Sequence, residues 1–449
     1  MDKKEFDVFV IGSGVAGRLV AEKCAKQQLK VAIADNRAFG GTCANRGCDP
    51  KKVILGPTEV LELSKNLKGK GIVSLPTLNW KALQKFKRTF TEFIPKAVED
   101  NLEELGIELY HQSPKFIDET TLTVEGKTVS AKKIVIATGN IPRKLDFKGN
   151  SLLKTSDDFL NLKKLPKHII FIGTGYIAME FAHMAARCGS KVTMLDHNAT
   201  VLNQFDDDLV SELIDISKQL GIKFVFNAEV VKVKKLKKNF KVQYIKADKK
   251  IAIKAQMVIN TSGRVPAIAT LNLEKGNVAY TNAGISYNHF MQNPLNKNVY
   301  SCGDVSAHSK PLAPLSGMEA NIVAENIING NTKKIDTPLV PSVVFTLPNL
   351  ASVGLNEEEA KKRYKNIIIN YKSASDWYNA KRINTKAYAY KILMNKRTNE
   401  IVGAHLLGPQ AAETINLFAM AISKKMTAND IKGLVFTYPS WCNDIKDML

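Results

Sequence analysis

Two stretches of this chain carry the same pattern at the same spacing. They read VFVIGSGVAGRLVAEKCAKQQLKVAIAD over residues 8–35 and IIFIGTGYIAMEFAHMAARCGSKVTMLD over residues 169–196. Each is an apolar strand, a glycine turn, an amphipathic helix, a second apolar strand and a closing acid, and the first glycine precedes that acid by 23 residues in both. One such match is weak, but two in the same βαβ context are specific. The repeat therefore predicts two Rossmann-like units in one chain.

The residues of each repeat have separate physical tasks. The first glycine permits a tight turn, the second lets the backbone approach a pyrophosphate, and the third lets the helix pack close to the strand. Free N–H groups at the helix N-terminus face the phosphates, and the acid accepts hydrogen bonds from a ribose diol. The alternative is a pair of glycine turns that join strand to helix without a ligand. The predicted dinucleotide-binding residues are Gly12, Gly14, Gly17 and Asp35 in the first repeat and Gly173, Gly175 and Asp196 in the second, where Ala178 stands in the third position.

Further strand-and-turn segments complete the two units. IVIATGNIP over residues 134–142 and MVINTSGRVP over residues 257–266 are apolar strands that end in small residues and a proline. VYSCGDV over residues 299–305 places an acid after a strand, where it can hold a polyol hydroxyl. These segments add Thr138, Gly139, Gly263 and Asp304 to the predicted cofactor-binding residues.

These segments predict an α/β protein with two Rossmann-like domains and an α+β C-terminal domain. The first nucleotide domain is expected over residues 1–145, the second over 146–265, and a return segment that completes the first domain over 266–335. The rest, 336–449, mixes strands such as AYKILMNK with helices such as AETINLFAMAIS, and is expected to form an interface between subunits.

Only two of the six cysteines lie close together, in GGTCANRGCDPKK over residues 40–52. A zinc site would need two more ligands nearby, and none stands at a suitable spacing, so no metal site is predicted. A static disulfide would stabilise little by closing so short a loop. A working dithiol fits better, because Cys48 precedes a proline typical of a helix start and the lysines Lys51 and Lys52, and both features favour a thiolate.

Charge and hydropathy restrict the classes of partner. The formal net charge is +21, but the lysines are spread along the chain, and the cluster in VVKVKKLKKNFKVQ alternates with apolar residues as a half-buried strand does. No nucleic-acid motif accompanies it, so specific nucleic-acid binding is not expected. No apolar run is long enough to cross a membrane, and no secretory signal is recognisable. A cytoplasmic enzyme without a membrane partner is the resulting expectation.

The motifs together resemble the class I pyridine nucleotide–disulfide oxidoreductases, which include glutathione reductase, dihydrolipoamide dehydrogenase and mercuric reductase. The resemblance runs along essentially the whole chain, and GGTCANRGCDPKK looks like the redox-disulfide signature of that family. It implies a homodimer in which Cys43 exchanges with substrate and Cys48 lies against the flavin as a charge-transfer thiolate. It also implies a Lys52–Glu180 pair beneath the flavin and Tyr176 as the gate of the nicotinamide pocket. The FAD residues implied are Gly12, Gly14, Gly17, Asp35, Gly41, Thr42 and Asp304.

The tail departs from the family pattern. The thiol-disulfide members carry a His-Pro-Thr followed by a glutamate, whereas this chain has TYPSWCNDIKDML. Tyr438 replaces the histidine and Asn443 the glutamate, so the acid–base pair for thiol exchange is missing. Such a pair contributes about a hundred- to ten-thousand-fold in rate, and a phenol with a pKa near 10 is a poor base at neutral pH. Tyr438 is either a proton donor, and so a catalytic candidate, or an interface aromatic.

Three hypotheses and one further alternative remain from the sequence. The leading one is an FAD enzyme that oxidises NADH and reduces a small-molecule disulfide or another soft electrophile through Cys43 and Cys48. NADH is preferred to NADPH because Asp196 would repel a 2′-phosphate, while His197 argues the other way. The second is a diaphorase or quinone-type reductase that bypasses the cysteines, and mercuric reductase-like metal reduction is a further alternative. The third is a flavin-loaded protein that binds a polyanion with little turnover.

Overall fold

The computed structural model describes residues 4–336 and 338–449. The chain divides into two compact units, which are described separately. The first comprises the described residues of Met1–Val53, Gln84–Arg143 and Gly263–Thr337, and the second comprises Ile54–Leu83, Lys144–Ser262 and Pro338–Leu449. Each unit contains one of the two glycine repeats. The domain boundaries predicted from the sequence remain predictions, and residue 337, next to the expected start of the last segment, lies outside the described residues.

A mostly parallel sheet forms the centre of the first unit. Its middle strand, Lys4–Ile11, runs parallel to Val31–Ala34 on one side and to Lys127–Ile136 on the other. The apolar run Val8–Ile11 is buried on both faces, as expected of a parallel strand covered by helices. The strands of this sheet are Glu108–Tyr110, Val31–Ala34, Lys4–Ile11, Lys127–Ile136, Thr121–Val124 and Lys115–Phe116 in spatial order, with Val299–Ser301 paired to Lys127–Ile136.

Helices cover this sheet, and two short strand pairs lie outside it. Helix Val15–Lys26 packs against helix Ala313–Asn329 and buries Val20, Ala21 and Cys24. The remaining helices with residues in this unit are Gly41–Arg46, Cys48–Asn66, Trp80–Thr91 and Ile94–Glu104. The short strand pairs are Asn140–Pro142 with Arg264–Pro266 and Tyr280–Thr281 with Gly284–Ile285.

The second unit contains a second parallel sheet around the second glycine repeat. His168–Ile172 lies between Lys191–Leu195 and Met257–Asn260, and Ile222–Val225 extends the sheet beyond Lys191–Leu195. Helix Tyr176–Arg187 connects the first two of these strands. The other elements here are the helices Ser156–Leu160 and Asp207–Gln219, the 3-10 turn Asn150–Leu152, and the antiparallel strands Glu229–Lys235, Phe240–Lys246 and Lys249–Ala255.

An antiparallel sheet with helices follows in the C-terminal part of the second unit. The neighbouring strands Ala389–Asn395 and Ile401–Gly408 are buried at every residue, which makes them the centre of this core. The sheet order is Ser342–Val344, Asn349–Gly354, Ile401–Gly408, Ala389–Asn395 and Ile367–Ser373. The helices are Glu357–Arg363, Tyr378–Arg382, Ala411–Ser423, Ala428–Lys432 and Ile445–Met448. The predicted fold class, two Rossmann-like domains with an α+β C-terminal domain, is confirmed.

Candidate functional site

The first glycine turn exposes bare backbone because side chains do not fit there. Gly12 has φ +110°, and a methyl group on it would overlap the carbonyl oxygen of Ala137. Gly41 has φ +71°, and a methyl group on it would overlap the Cα of Gly14. The two glycine segments therefore approach each other as closely as backbone can, at the N-terminal end of helix Val15–Lys26. Such an arrangement leaves N–H groups available to an anion.

Asp35 fixes this turn from the end of its strand. One carboxylate oxygen accepts hydrogen bonds from the backbone N–H of Ser13 at 2.9 Å and from its hydroxyl at 2.7 Å. The other accepts from the N–H of Arg37 at 2.9 Å. Sequence reasoning missed Ser13, although its position between the two glycines was visible.

A group of buried polar residues lies at the end of the same sheet. The hydroxyl of Thr138 is buried and has no hydrogen-bond partner among the described residues, so a ligand group there would satisfy it. Burial raises the pKa of Asp304. The positive charge of Arg264 and a hydrogen bond from Ser316 lower it, but by less. Glu319, which carries no motif in the sequence, accepts from the N–H of Gly303 at 2.7 Å and from the hydroxyl of Ser309 at 2.6 Å. The glycine backbone, the ribose-type acid and the unpaired hydroxyl are a donor and acceptor set that fits a dinucleotide.

The two neighbouring cysteines lie at a break between helices. Cys43 is in helix Gly41–Arg46, Cys48 begins helix Cys48–Asn66, and neither forms a disulfide; Cys43 is partly buried and Cys48 is exposed. The pKa of Cys43 is raised, chiefly by a hydrogen bond with the side chain of Cys48 and next by burial. The structure thus brings the predicted pair into direct contact. Thr42 precedes Cys43 in the same short helix.

A metal-type cluster occurs elsewhere. Among the described residues, the group of acids close enough to share one ion is Asp206, Asp208 and Glu357. Lys391 stands among them, with its Nζ 2.8, 2.5 and 3.0 Å from their carboxylates. The single ammonium group of Lys391 therefore pairs with all three carboxylates and offsets part of their negative charge.

The second glycine turn has the same contacts as the first. One oxygen of Asp196 accepts from the N–H of Thr174 at 2.8 Å and from its hydroxyl at 2.6 Å, and the other accepts from the N–H of Asn198 at 2.9 Å. Gly173 has φ +101°, as the equivalent tight turn requires. Gly175 caps helix Tyr176–Arg187, and the side chain of Tyr176 is 41% exposed. Thr174 is the counterpart of Ser13 and was missed with it.

The remaining predicted residues lie in both units. Glu180 is buried in helix Tyr176–Arg187 and accepts a hydrogen bond from the N–H of Phe345 at 2.9 Å. Lys52 is exposed in helix Cys48–Asn66, and its pairing with Glu180 stays a prediction. Gly139 and Gly263 both have positive φ in turns of the first unit.

Tyr438 lies near the C-terminal end of the chain. Its side chain is 71% exposed, and its ring centroid lies 6.4 Å from that of Tyr378. The nearby Asn443 is held in a turn, where its N–H donates to the hydroxyl of Ser440 at 3.2 Å. The phenol is therefore accessible, as either of its two expected roles requires.

Comparison with known proteins decides the family. Residues 6–324 match the family described as "Pyridine nucleotide-disulphide oxidoreductase", and residues 340–449 match its dimerisation domain. This chain belongs to the pyridine nucleotide-disulphide oxidoreductase family. The resemblance inferred from the cysteine and glycine motifs is thereby confirmed.

Proteins of different specificity are similar to this chain. It is 32% identical to a glutathione reductase of Burkholderia cepacia over 98% of this chain and 97% of that protein. It is 29% identical to a mercuric reductase of Staphylococcus aureus over 98% of this chain and 81% of that protein. Among solved structures, the Cu(II) complex of the HOCl-induced flavoprotein disulfide reductase RclA from Escherichia coli matches with a TM-score of 0.88 and 25% identity, covering 100% of this chain and 99% of that chain.

Membership of this family establishes the enzyme class and the cofactors. The chain is a flavin-dependent NAD(P)H oxidoreductase that acts on sulfur groups, and the family uses FAD and NAD(P)H. The dimerisation domain supports a homodimer. Among the helices of residues 4–336 and 338–449, none is long and apolar enough to cross a membrane.

Proposed function

We propose that this chain uses NADH, with FAD as its bound cofactor, to reduce a Cys43–Cys48 disulfide, which in turn reduces a disulfide or another soft electrophile. The observation that carries the proposal is the direct contact between the two thiols at the start of helix Cys48–Asn66. Bound FAD would supply the two-electron link between a nicotinamide and a thiol pair.

Residues of the first unit would hold the FAD. The backbone at Gly12, Gly14 and Gly41 would accommodate the pyrophosphate, since no side chain separates the two glycine segments. Asp35 keeps acceptor capacity for a ribose hydroxyl beyond its contacts with Ser13 and Arg37. The other residues assigned to FAD are Gly17, Thr42, Thr138, Gly139 and Asp304, and Gly263 is assigned to the nucleotide of the second repeat.

The thiols would turn over by exchange. Reduction of the Cys43–Cys48 disulfide takes two electrons and yields two thiols after two protons are added. Cys43, as thiolate, then attacks one sulfur of a substrate disulfide and expels the other as a thiolate. Cys48 attacks the Cys43 sulfur of that mixed disulfide, releases the second substrate thiolate and restores the internal disulfide.

Proton transfer limits this exchange. The hydrogen bond with Cys48 and burial raise the pKa of Cys43, so Cys43 must give up a proton before it attacks the substrate, while Cys48 lies at a helix N-terminus, which favours a negative charge. The tail offers Tyr438 and Asn443 where a histidine and a glutamate assist thiol exchange in the thiol-disulfide members. We therefore expect slow turnover with dihydrolipoamide or oxidised glutathione and faster turnover with acceptors that need no proton donor.

A thiophilic metal ion is the second candidate substrate. It is supported by the similarity to a mercuric reductase and by the structural likeness to RclA, which was solved with Cu(II). A metal ion bound by Cys43 needs no protonated leaving group. Electron balance requires one Hg(II) or two Cu(II) ions for each NADH oxidised.

The nicotinamide and its neighbours are assigned to the second repeat. Gly173, Gly175 and Asp196 would hold the NADH, and the Asp196 carboxylate disfavours the 2′-phosphate of NADPH. Tyr176 would gate the nicotinamide, and Glu180 with Lys52 would set the charge near the reactive ring. The domain boundaries given above, a cytoplasmic location and the role of Tyr438 belong to the same proposal.

A substrate panel with matched variants tests it. Cys43→Ser is expected to lower NADH-dependent reduction of disulfides and of Cu(II) or Hg(II) by at least about a hundredfold, because no second nucleophile replaces the thiolate. Cys24→Ser, a buried cysteine in helix Val15–Lys26, is the control and should retain that activity. A Cys43→Ser enzyme with undiminished activity would show that the cysteines are bypassed and would favour the diaphorase alternative.

A further inference from the structure

One face of helix Tyr176–Arg187 is polar although the helix is buried. Glu180, His183 and Arg187 are three and four residues apart, so they lie along the same side. Glu180 and His183 are each 1% exposed. Buried groups of this kind are costly unless each is hydrogen-bonded. The hydrogen-bond partners of these three side chains therefore indicate the role of this face of the helix.

All three side chains bind the same short segment, residues 345–347. Glu180 accepts from the N–H of Phe345 at 2.9 Å. His183 Nδ1 accepts from the N–H of Leu347 at 3.3 Å, and Arg187 Nη2 donates to the carbonyl of Leu347 at 2.8 Å. The backbone N–H and carbonyl of Leu347 are thus bound by His183 and Arg187, respectively. The N–H of Phe345, two residues earlier, is bound by Glu180.

The hydrogen bonds define the state of His183. Arg187 Nη1 approaches Nδ1 at 3.2 Å and can only donate, so Nδ1 carries no proton. The proton is on Nε2, which donates to Ser217 Oγ at 2.8 Å, and that hydroxyl donates in turn to the carbonyl of Leu213 at 2.6 Å. Neutral His183 thereby bridges Leu347 to helix Asp207–Gln219.

Arg187 adds a second anchor. Its Nε lies 2.9 Å from Glu62, with the guanidinium itself almost fully buried. Glu62 belongs to the continuous helix that begins at Cys48. A planar guanidinium that uses several donors at once holds its partners in fixed directions. Arg187 therefore joins two helices and segment 345–347.

We propose that His183 and Arg187 are positioning residues for Glu180: they fix segment 345–347, whose Phe345 N–H in turn fixes the Glu180 carboxylate. The proposal rests on the function assigned to Glu180 above. A carboxylate at the end of three rotatable bonds takes the direction of the amide that it accepts from. A shift of that amide moves the charge, and misplacement by about 1 Å can lower a rate about a hundredfold.

The test combines a rate with amide exchange in the FAD-loaded enzyme. Arg187→Met and His183→Leu are expected to slow flavin reduction by saturating NADH about tenfold or more, with little change in the KM for NADH. Hydrogen exchange at the Phe345 and Leu347 amides should accelerate in the same variants. His183→Asn, whose side-chain oxygen can accept from Leu347, should restore both. His405→Leu is the control, because His405 is equally buried in this unit but bonds to Ser352 and Leu355 instead.

A double-mutant cycle separates positioning from loss of stability. In a Glu180→Ala background, Arg187→Met should add less than about a twofold further reduction, because the group being positioned is gone. An equal reduction in both backgrounds, or a Phe345 exchange rate that does not change, would overturn the proposal. If Arg187→Met does not fold, Glu62→Gln removes the same anchor more mildly and is judged by the same two criteria. Normal flavin reduction by Glu180→Ala would instead contradict the role of Glu180 in the proposed function, whereas amide exchange reports on segment 345–347 alone.

Discussion

Asp35 and Asp196 make equivalent contacts in the two glycine repeats. Each carboxylate accepts hydrogen bonds from the N–H and the hydroxyl of the residue between the first two glycines of its repeat. It also accepts from the N–H of the residue two positions after the acid itself. Three donors hold each carboxylate in one direction, and a carboxylate has about four acceptor sites. The capacity that remains is what a ribose diol would use. The two acids therefore act as rigid acceptors at fixed places.

The charge of Asp196 is expected to set the choice of nicotinamide. Asp196→Asn removes the charge but keeps an oxygen that can accept from Thr174. We expect the ratio of kcat/KM for NADPH to that for NADH to rise about tenfold, equivalent to about 1.4 kcal/mol. Steady-state kinetics with both nucleotides measures it. Asp35→Asn, the matched change in the first repeat, should leave that ratio unaltered, and an unaltered ratio in Asp196→Asn would contradict the assignment.

His183 gives stability a pH dependence. Burial, and next the charge of Arg187, lower the pKa of His183 well below its usual value. Since the folded pKa is below that of the unfolded chain, the stabilisation is present above about pH 6.5 and is lost as the pH falls. This one group contributes a slope of up to about 1.4 kcal/mol per pH unit below that pH.

Denaturant unfolding between pH 5 and pH 8 measures this slope. The His183→Asn variant should show a shallower fall in the free energy of unfolding below pH 6.5 than the wild-type chain. The buried His405, whose pKa is also lowered by burial, stays in both proteins and cancels in the comparison. Parallel curves for the two proteins would contradict the neutral state inferred for His183.

At the scale of elements, the close approach of two loops shapes the candidate FAD site. The turn after Lys4–Ile11 and the start of helix Gly41–Arg46 meet at Gly14 and Gly41 with no side chain between them. The same short helix carries Cys43. The backbone that would receive the pyrophosphate and one of the two thiols therefore belong to the same local structure.

Gly41→Ala should weaken FAD binding because the added methyl overlaps the Cα of Gly14. Gly126→Ala is a control with the same strain, since both glycines have φ +71° and Gly126 has no neighbour within 4 Å. The flavin-to-protein absorbance ratio after purification measures the result. We expect Gly126→Ala to retain FAD and Gly41→Ala to contain less than about half as much. The two variants share the backbone strain, so the difference would come from the steric overlap at Gly41. Equal FAD contents would contradict the close approach.

The local sequence pattern predicted the strands, turns and helices of the two repeats. It did not predict polar contacts between residues that are far apart in sequence. The strand, turn and helix of each repeat follow from apolar periodicity and glycine position, and Ser13 and Thr174 could have been found by aligning the two repeats. Glu62, Arg187 and Leu347 are far apart in sequence, so only the folded chain brings them together. Glu319 likewise lies within a helix of apolar and small residues and has no motif. Long-range polar pairs of this kind depend on packing that no local spacing records.

At the scale of the whole molecule, the proposed activity depends on how electrons leave the flavin. The family membership establishes a flavin-dependent NAD(P)H oxidoreductase with a dimerisation domain. In the proposed function, the departure at Tyr438 and Asn443 would affect only the exchange with substrate. Reduction of the internal cysteines and reduction of the final acceptor are therefore separate questions, and the first can be answered without knowing the substrate.

An anaerobic titration of the purified FAD-loaded protein with NADH, recorded as full visible spectra, shows whether Cys43 and Cys48 receive electrons from FAD. We predict a long-wavelength charge-transfer band after the first equivalent, because in the proposed function Cys48 would then be a thiolate next to oxidised FAD. Cys48→Ser should lack that band. Bleaching of the flavin by the first equivalent without a long-wavelength band would contradict the claim that Cys43 and Cys48 lie on the electron path.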